Sequence, residues 1–179
     1  MFRPSLPLVT RALVAGDFAA VRELIREHLG GSGHRTLDLG CGPGLFADVF
    51  AGEDYVGLDP DLRNVAWARR ARLGAFLVAS PRRVDLPDGR FDQALAFGVV
   101  ETLTDAEVEG LLRELRRLIV PGGRALFITE LARAGLVGRV LPGPRPSRGQ
   151  GALGRLLGAP VDAFPSGSRL YGAALVRWS

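Results

Sequence analysis

An aspartate and three glycines lie within seven residues at Asp38–Gly44, D-L-G-C-G-P-G, and a second aspartate, Asp59, ends the run YVGLD. Residues 36–50, TLDLGCGPGLFADVF, pass from strand formers into glycines and then into helical spacing from about Leu45. A glycine turn between a strand and a helix lets a ligand approach the backbone with no Cβ in the way. Two ligand classes compete for such a turn. A dinucleotide requires G-x-G-x-x-G/A, with its pyrophosphate on the helix N-terminus. In that register Gly40 and Gly42 are followed by Leu45, so the third small residue is missing. Asp38, at the mouth of the turn, would repel a pyrophosphate and would suit a ligand that carries an ammonium or sulfonium and no phosphate. Each acid also has a plainer role open to it: Asp38 can accept from the turn's own N–H groups, and Asp59 can cap the helix that follows it.

These residues need a scaffold, and the hydrophobic pattern describes one. GDFAAVRELIREHLGG reads as an amphipathic helix, with Asp17 as N-cap, an apolar stripe of Phe18, Val21, Leu24, Ile25 and Leu29, and Gly30–Gly31 as its stop. Strands are expected at about 35–39, then at YVGLD, AFLVAS, RFDQALAFG and RALFIT. Between them, helices are expected from about Leu45, over DLRNVAWARRAR, and over LTDAEVEGLLRELRRLIV, where Thr104 and Glu107 form a capping box. Leu111, Leu112, Leu115, Leu118 and Ile119 give that last helix its apolar face, and PGG closes it. This alternation from about residue 35 to 130 predicts an α/β fold, a doubly wound and mostly parallel sheet with helices on both faces. Ligands of such sheets sit at the carboxyl ends of the strands, where the glycine turn falls. One domain is expected over residues 1–179: an N-terminal helical segment (1–33), a ligand-binding core (34–130) and a C-terminal part (131–179). In that last part LPGPRPSRGQG (141–151) reads as a surface loop, GALGRLLG as a short helix, and VDAFPSG with SRLYGAALVRWS as a closing hairpin.

Composition narrows the class. With 47% hydrophobic and 23% charged residues the chain reads as a globular protein, and 179 residues suit one core. Arg11 and Asp17 interrupt the early apolar residues, so no secretory leader is expected, and no run reaches the ~18–20 apolar residues of a membrane span. Cys41 is the single cysteine, which leaves no disulfide framework and no cysteine-based metal cluster, and the expectation is a cytoplasmic protein without a metal. The net charge of +4 comes entirely from arginine, with a pI near 10.4. Nucleic acid is disfavoured as a partner, because Arg113, Arg116 and Arg117 are interleaved with Glu109 and Glu114 as on a solvated helix face. Cys41 reads as a small packed residue, His28 as a cation near a helix C-terminus, and Trp67 as packing.

Four stretches, in order and spacing, resemble the class I S-adenosylmethionine-dependent methyltransferases. D-L-G-C-G-P-G is similar to the family's first motif, D/E-x-G-x-G-x-G, and GLDPD to its second strand with an acid at the end. FDQALAFGVVETLTD (91–105) resembles the fourth strand and following loop, and LRELRRLIVPGGRALFIT (112–129) the helix, PGG turn and fifth strand. The resemblance covers about residues 34–130. It implies a Rossmann-like methyltransferase fold, S-adenosylmethionine as cofactor, and transfer to a small-molecule acceptor by in-line displacement at the sulfonium methyl. Carried over residue by residue, Gly40, Gly42 and Gly44 would approach the amino-acid portion of the cofactor, with Asp38 favouring its positive charge. Asp59 would accept both ribose hydroxyls, Pro60 and Leu62 would pack on adenine, and Phe97 and Gly98 would line the cofactor. Ser80 stands where the family often has an acid for the adenine amino group, with Asp85 further on. Glu101, followed by Thr102 in the loop after the fourth strand, is the candidate general base.

The acceptor is not legible from sequence. The segments from which small-molecule members build the acceptor site are short here, which favours an open or partner-completed pocket. Arg139, Arg145 and Arg148 among Leu136, Val137, Val140 and Leu141 would suit an acidic or lipid-like acceptor, or peripheral contact with a membrane. Two further classes stay open: a protein or nucleic-acid methyltransferase, although FGVV stands where amino-methylating nucleic-acid enzymes carry N-P-P-Y/F/W, and a noncatalytic cofactor-binding or interaction module. Oligomeric state is not readable.

Overall fold

The computed structural model describes residues 18–51, 54–80, 83–133, 162–166 and 169–178. Three helices, α1 (Ala19–Leu29), α2 (Leu62–Ala71) and α3 (Asp105–Leu118), accompany seven strands. The strands are β1 (Arg35–Leu39), β2 (Asp54–Asp59), β3 (Ala75–Val78), β4 (Phe91–Phe97), β5 (Ile119–Arg133), β6 (Asp162–Ser166) and β7 (Arg169–Arg177). They form one sheet in the order β3-β2-β1-β4-β5-β7-β6. The pairs among β1 to β5 are parallel; β7 runs antiparallel to both β5 and β6. The order reverses between β1 and β4, which opens a crevice at their carboxyl ends. The doubly wound sheet and the closing hairpin are therefore both present.

Strand alternation sorts the core into two layers. Leu37, Leu39, Val56, Leu58, Ala94, Ala96, Ala125 and Phe127 face Val108, Leu111, Leu115 and Leu118 of α3. On the other face Leu95, Leu126 and Ile128 meet Val21, Ile25 and Leu29 of α1 and Val65 and Ala68 of α2. The i, i+4, i+8 spacing of Val21, Ile25 and Leu29 puts all three at zero exposure. The capping box of α3 is formed in both directions, Thr104 accepting from the Glu107 N–H and Glu107 from the Thr104 N–H.

Three expectations meet a different outcome. The helix foreseen from Leu45 is a run of turns followed by a single 3-10 turn, Ala47–Phe50, because Leu45, Phe46, Ala47 and Phe50 are all drawn into the core over too short a span for a helix to bury them on one stripe. The N-cap position of α1 is Phe18, without a side-chain cap, and Asp17 lies outside the described residues. The helix after β2 is capped by Asp61, whose carboxylate accepts from the Arg63 N–H, so Asp59 is released from that role. PGG does end α3, and it does so inside β5: the pairing with β4 jumps from Phe91↔Ile119 to Gln93↔Arg124 across Pro121–Gly123. The Pro- and Gly-rich loop 141–151, GALGRLLG, and the residues Leu136, Val137, Arg139 and Val140 that precede the loop lie outside the described residues.

Candidate functional site

Register brings the site together. Leu39 pairs with Leu58 on one side and Ala96 on the other, so Gly40, Asp59 and Phe97 leave the sheet at one level. The turn that follows β1 holds Gly40, Gly42 and Gly44 at φ +68°, +55° and +73°. At Gly40 a Cβ would stand 2.6 Å from Val99 Cγ2, and at Gly44 2.8 Å from Arg72 Cγ, so these two glycines are required by close packing as well as by backbone shape. Gly42 differs, because no described residue stands within 4 Å of its Cβ position. Its course is held by Cys41 N–H donating to Leu58 O (2.9 Å) and Gly44 N–H to Cys41 O (3.0 Å).

Asp59, only 7% exposed, is tied to this turn and to the start of α2. Its Oδ2 accepts from the Gly42 N–H (2.9 Å), and its Oδ1 from the Asp61 N–H (2.8 Å) and from Asn64 Nδ2 (3.2 Å). These bonds fix the carboxylate plane at the rim of a cleft of roughly 520 Å³. Gly40, Asp59, Pro60, Asp61, Leu62, Arg63, Asn64, Gly98, Val99 and Thr102 line it, drawn from the ends of β1, β2 and β4 and the first turn of α2. Leu62 and Val99 give it apolar walls; Thr102 turns its hydroxyl to Val99 O (2.7 Å).

Of the residues singled out by sequence, Gly40, Asp59, Pro60, Leu62 and Gly98 meet in this cleft. The others lie elsewhere. Asp38 is behind the turn and not at its mouth: as the next-to-last residue of a central strand with both faces covered, it is 1% exposed. Its Oδ2 accepts from the Tyr55 hydroxyl at 2.6 Å. Burial pushes its carboxyl up to about 7; the Tyr55 bond works against that rise and the negative charge of Asp59 adds to it. Tyr55 is itself raised, by burial and then by Asp38. Phe97 turns to the opposite layer from the cleft-lining Gly98, where its ring packs edge-on against Phe18 and Phe46 at 5.6 and 5.0 Å, because alternation along β4 sends it to the face that carries α1. Ser80 is exposed past the end of β3 and does not line the cleft.

Glu101 sits in a 3-10 turn (Val100–Thr102) just after β4, beside the cleft and between its lining residues Gly98 and Thr102. Its Oε2 accepts from the Thr129 hydroxyl of β5 at 2.9 Å, and its Oε1 is 3.8 Å from where a Cβ on Gly98 would stand. Cys41 is a packed residue as expected, its thiol pushed up by burial and by the nearby Asp38 and Asp59, and so unsuited to attack. Trp67 is half exposed on α2 with the Arg72 guanidinium over its ring at 5.4 Å. Sequence reasoning missed Asp61, Arg63, Asn64 and Val99, and named Thr102 beside Glu101 without giving it a role. The signal for the first three was the spacing D-P-D-L-R-N, which makes Asp61 the cap and places Asn64 at the third helical position. Among the described residues no helix is long and apolar enough to cross a membrane.

Comparison with known proteins agrees with this geometry. A family model described as a methyltransferase domain matches residues 37–127, half of the chain. An uncharacterized methyltransferase of Mycolicibacterium gilvum is 36% identical over 123 residues, 65% of this chain and 48% of the relative. A ubiquinone biosynthesis O-methyltransferase of Bradyrhizobium sp. is 38% identical over 105 residues, 55% of this chain and 40% of the relative. The chain thus spans about half the length, or less, of the relatives it matches. Among solved structures, magnesium protoporphyrin IX methyltransferase from Synechocystis PCC 6803, with bound SAH, superposes with a TM-score of 0.70 at 16% identity, covering 100% of this chain and 89% of that one. At that identity the likeness speaks for the fold.

Proposed function

The chain belongs to the methyltransferase-domain family, and from that premise we propose that it transfers the methyl group of S-adenosylmethionine to a small-molecule acceptor in the cytoplasm. The observation that carries the reading is the Asp59 carboxylate fixed at the rim of a glycine-floored cleft. The residues present fit the cofactor. Two carboxylate oxygens offer about four acceptor sites and the chain fills three, so Asp59 keeps capacity for a ribose hydroxyl. Among the described residues none crowds Gly42, which suits the approach of an amino-acid moiety, and Leu62 and Val99 offer apolar contact to a purine. Among the described residues that line the cleft, the one basic side chain a phosphate would meet is Arg63, which is already paired with Asp61 at 2.7 Å.

When bound, S-adenosylmethionine supplies a methyl group on a sulfonium leaving group. The protein's part is then to hold, orient and exclude water. Asp59 would fix the ribose and Gly40 and Gly98 would keep the floor of the cleft free of side chains. Alignment of this kind is worth up to ~7–11 kcal/mol of barrier. Glu101, oriented by Thr129, would take a proton at its carboxylate from an acceptor that arrives protonated. A small-molecule acceptor is favoured by the likeness to the ubiquinone O-methyltransferase.

The test is isothermal titration of S-adenosylmethionine and S-adenosylhomocysteine into the wild type and Asp59→Ala. A bond to a charged group contributes roughly 1.5–3 kcal/mol, so the variant should bind about 10- to 100-fold more weakly. A folded wild type that binds neither ligand would sink the reading. With an acceptor in hand, Glu101→Gln should lower turnover most at the acid end of pH 6–9; an unchanged profile removes Glu101 as the base.

A further inference from the structure

We propose that the outward side of α2, with the turn that follows it, is a docking surface for a membrane that carries anionic lipid. Two properties of the chain concentrate there. Four large hydrophobic side chains are exposed among the described residues, and all four, Leu62, Trp67, Leu73 and Val78, fall between positions 62 and 78. The same stretch holds four arginines and no acid. Of the chain's 23 basic and 19 acidic residues, the 19 of each sign that lie elsewhere balance, so this stretch carries the whole net charge of +4. Anionic headgroups complement such a charge, and the membrane interface accepts tryptophan and leucine beside it. A nucleic acid would satisfy the arginines and leave Leu73 in water.

Helical spacing makes the surface continuous. Val65 and Ala68 are buried against the sheet, so Arg63, Ala66, Trp67 and Arg70, at i, i+3, i+4 and i+7, share the opposite side of α2. Among the described residues Arg63 is the one arginine of the four with an acid partner, Asp61 at 2.7 Å. Arg69 is turned to the edge of the sheet, its Nε donating to Phe76 O at 2.8 Å. Arg72 sets its guanidinium over the Trp67 ring at 5.4 Å, so cation and aromatic form one unit. Arg70 stands exposed beside them, its charge available to a headgroup phosphate. The turn that presents Leu73 is pinned from below. Gly74, next in sequence, has φ +117°, and a Cβ there would stand 2.7 Å from Tyr55 Cδ1, so the turn packs on the core while Leu73 is 84% exposed. At the other end of α2, Leu62 and Arg63 line the cleft, and a chain docked by this side would hold the cleft beside the lipid.

The experiment is co-sedimentation of the full chain with vesicles of phosphatidylcholine alone and of phosphatidylcholine mixed with phosphatidylglycerol, at low and high salt, with folding checked by circular dichroism. The assay needs no cofactor, so its outcome is separate from that of the titration at the cleft. Wild type should bind the anionic vesicles and not the neutral ones, and salt should release it. Arg70→Gln should weaken binding roughly 5-fold, and Leu73→Asn roughly 10-fold or more. Both side chains are exposed and neither lines the cleft. In Trp178→Phe, where Trp67 is the remaining tryptophan, emission should move to shorter wavelength on the anionic vesicles. The inference is overturned if wild type does not sediment with anionic vesicles at low salt, or if both variants sediment as wild type does. Tighter binding to a single-stranded oligonucleotide than to the vesicles would assign the arginines to nucleic acid instead. A lipid-free dimer that Leu73→Asn dissociates would assign the surface to a second copy of the chain.

Discussion

Asp38→Asn is expected to change how the stability of this protein depends on pH. In the folded chain the Asp38 carboxyl is raised from 3.8 to about 7, chiefly by burial, with Tyr55 opposing and Asp59 reinforcing the rise. Below pH ~4 the carboxyl is protonated in both folded and unfolded chains and adds no difference. Between ~4 and ~7 it stays protonated when folded and ionises when unfolded, so each step of pH favours unfolding. Above ~7 it is ionised in both, and the stability present in acid has been lost in full. At about 1.36 kcal/mol for each unit of pKa, the loss is about 4 kcal/mol. That is a large part of a total stability of roughly 5–15 kcal/mol. Asparagine cannot ionise, and its amide oxygen can still accept from Tyr55. The assay is urea unfolding of ligand-free wild type and Asp38→Asn from pH 4.5 to 8. The difference between the two should grow in favour of the variant as pH rises, by about 1.4 kcal/mol per pH unit at its steepest. Asp92 and Glu114 also titrate, but their carboxyls pair with Arg35 and Arg117 and not with Asp38, so they cancel in the difference. Parallel curves over this range would refute the reasoning and show Asp38 to be ionised throughout.

Three further outcomes are expected. Gly40→Ala places a Cβ at φ +68° and 2.6 Å from Val99 Cγ2, and should cost about 2–4 kcal/mol in thermal or urea unfolding; adding Val99→Ala should recover the contact and not the backbone strain. Thr104→Ala removes one half of the capping box of α3 and should cost about 1 kcal/mol, or ~2–4 °C in Tm for a domain of this size. Asp92 is held down to about 2, first by its hydrogen bond from Arg35, so its contribution is present above ~4 and lost as pH falls toward 2. Asp92→Asn should therefore make acid unfolding less steep below pH 4, read by circular dichroism.

Much of the scaffold was legible because its signals are local. Period-two and period-3.6 patterns placed β1 to β5, α1 and α3, and the Thr104–Glu107 spacing predicted a cap that forms as written. The glycines were legible because positive φ at Gly40, Gly42 and Gly44 excludes most other residues. The missing helix after the turn shows the limit of the same logic. Leu45, Phe46, Ala47 and Phe50 look helical in spacing, but burial of all four is decided by what lies around them, and a 3-10 turn satisfies it. Likewise Phe97 and Gly98 are neighbours in sequence and part company in space, since alternation sends the ring to the α1 layer while the glycine ends the strand at the cleft.

By itself the sequence determined the order of elements, the turn that ends β1 and the acid that ends β2, because each depends on residue type at short range. Tertiary structure decided the electrostatics and the hydrogen-bonding capacity of the site. Whether Asp38 stands at a mouth or behind a wall depends on the strands that flank β1. How many hydroxyls Asp59 can serve depends on three donors, Gly42, Asp61 and Asn64, brought to one carboxylate by a turn 17 residues away and by the helix that follows. Residue types name the acceptors; only packing shows which of their lone pairs are already taken.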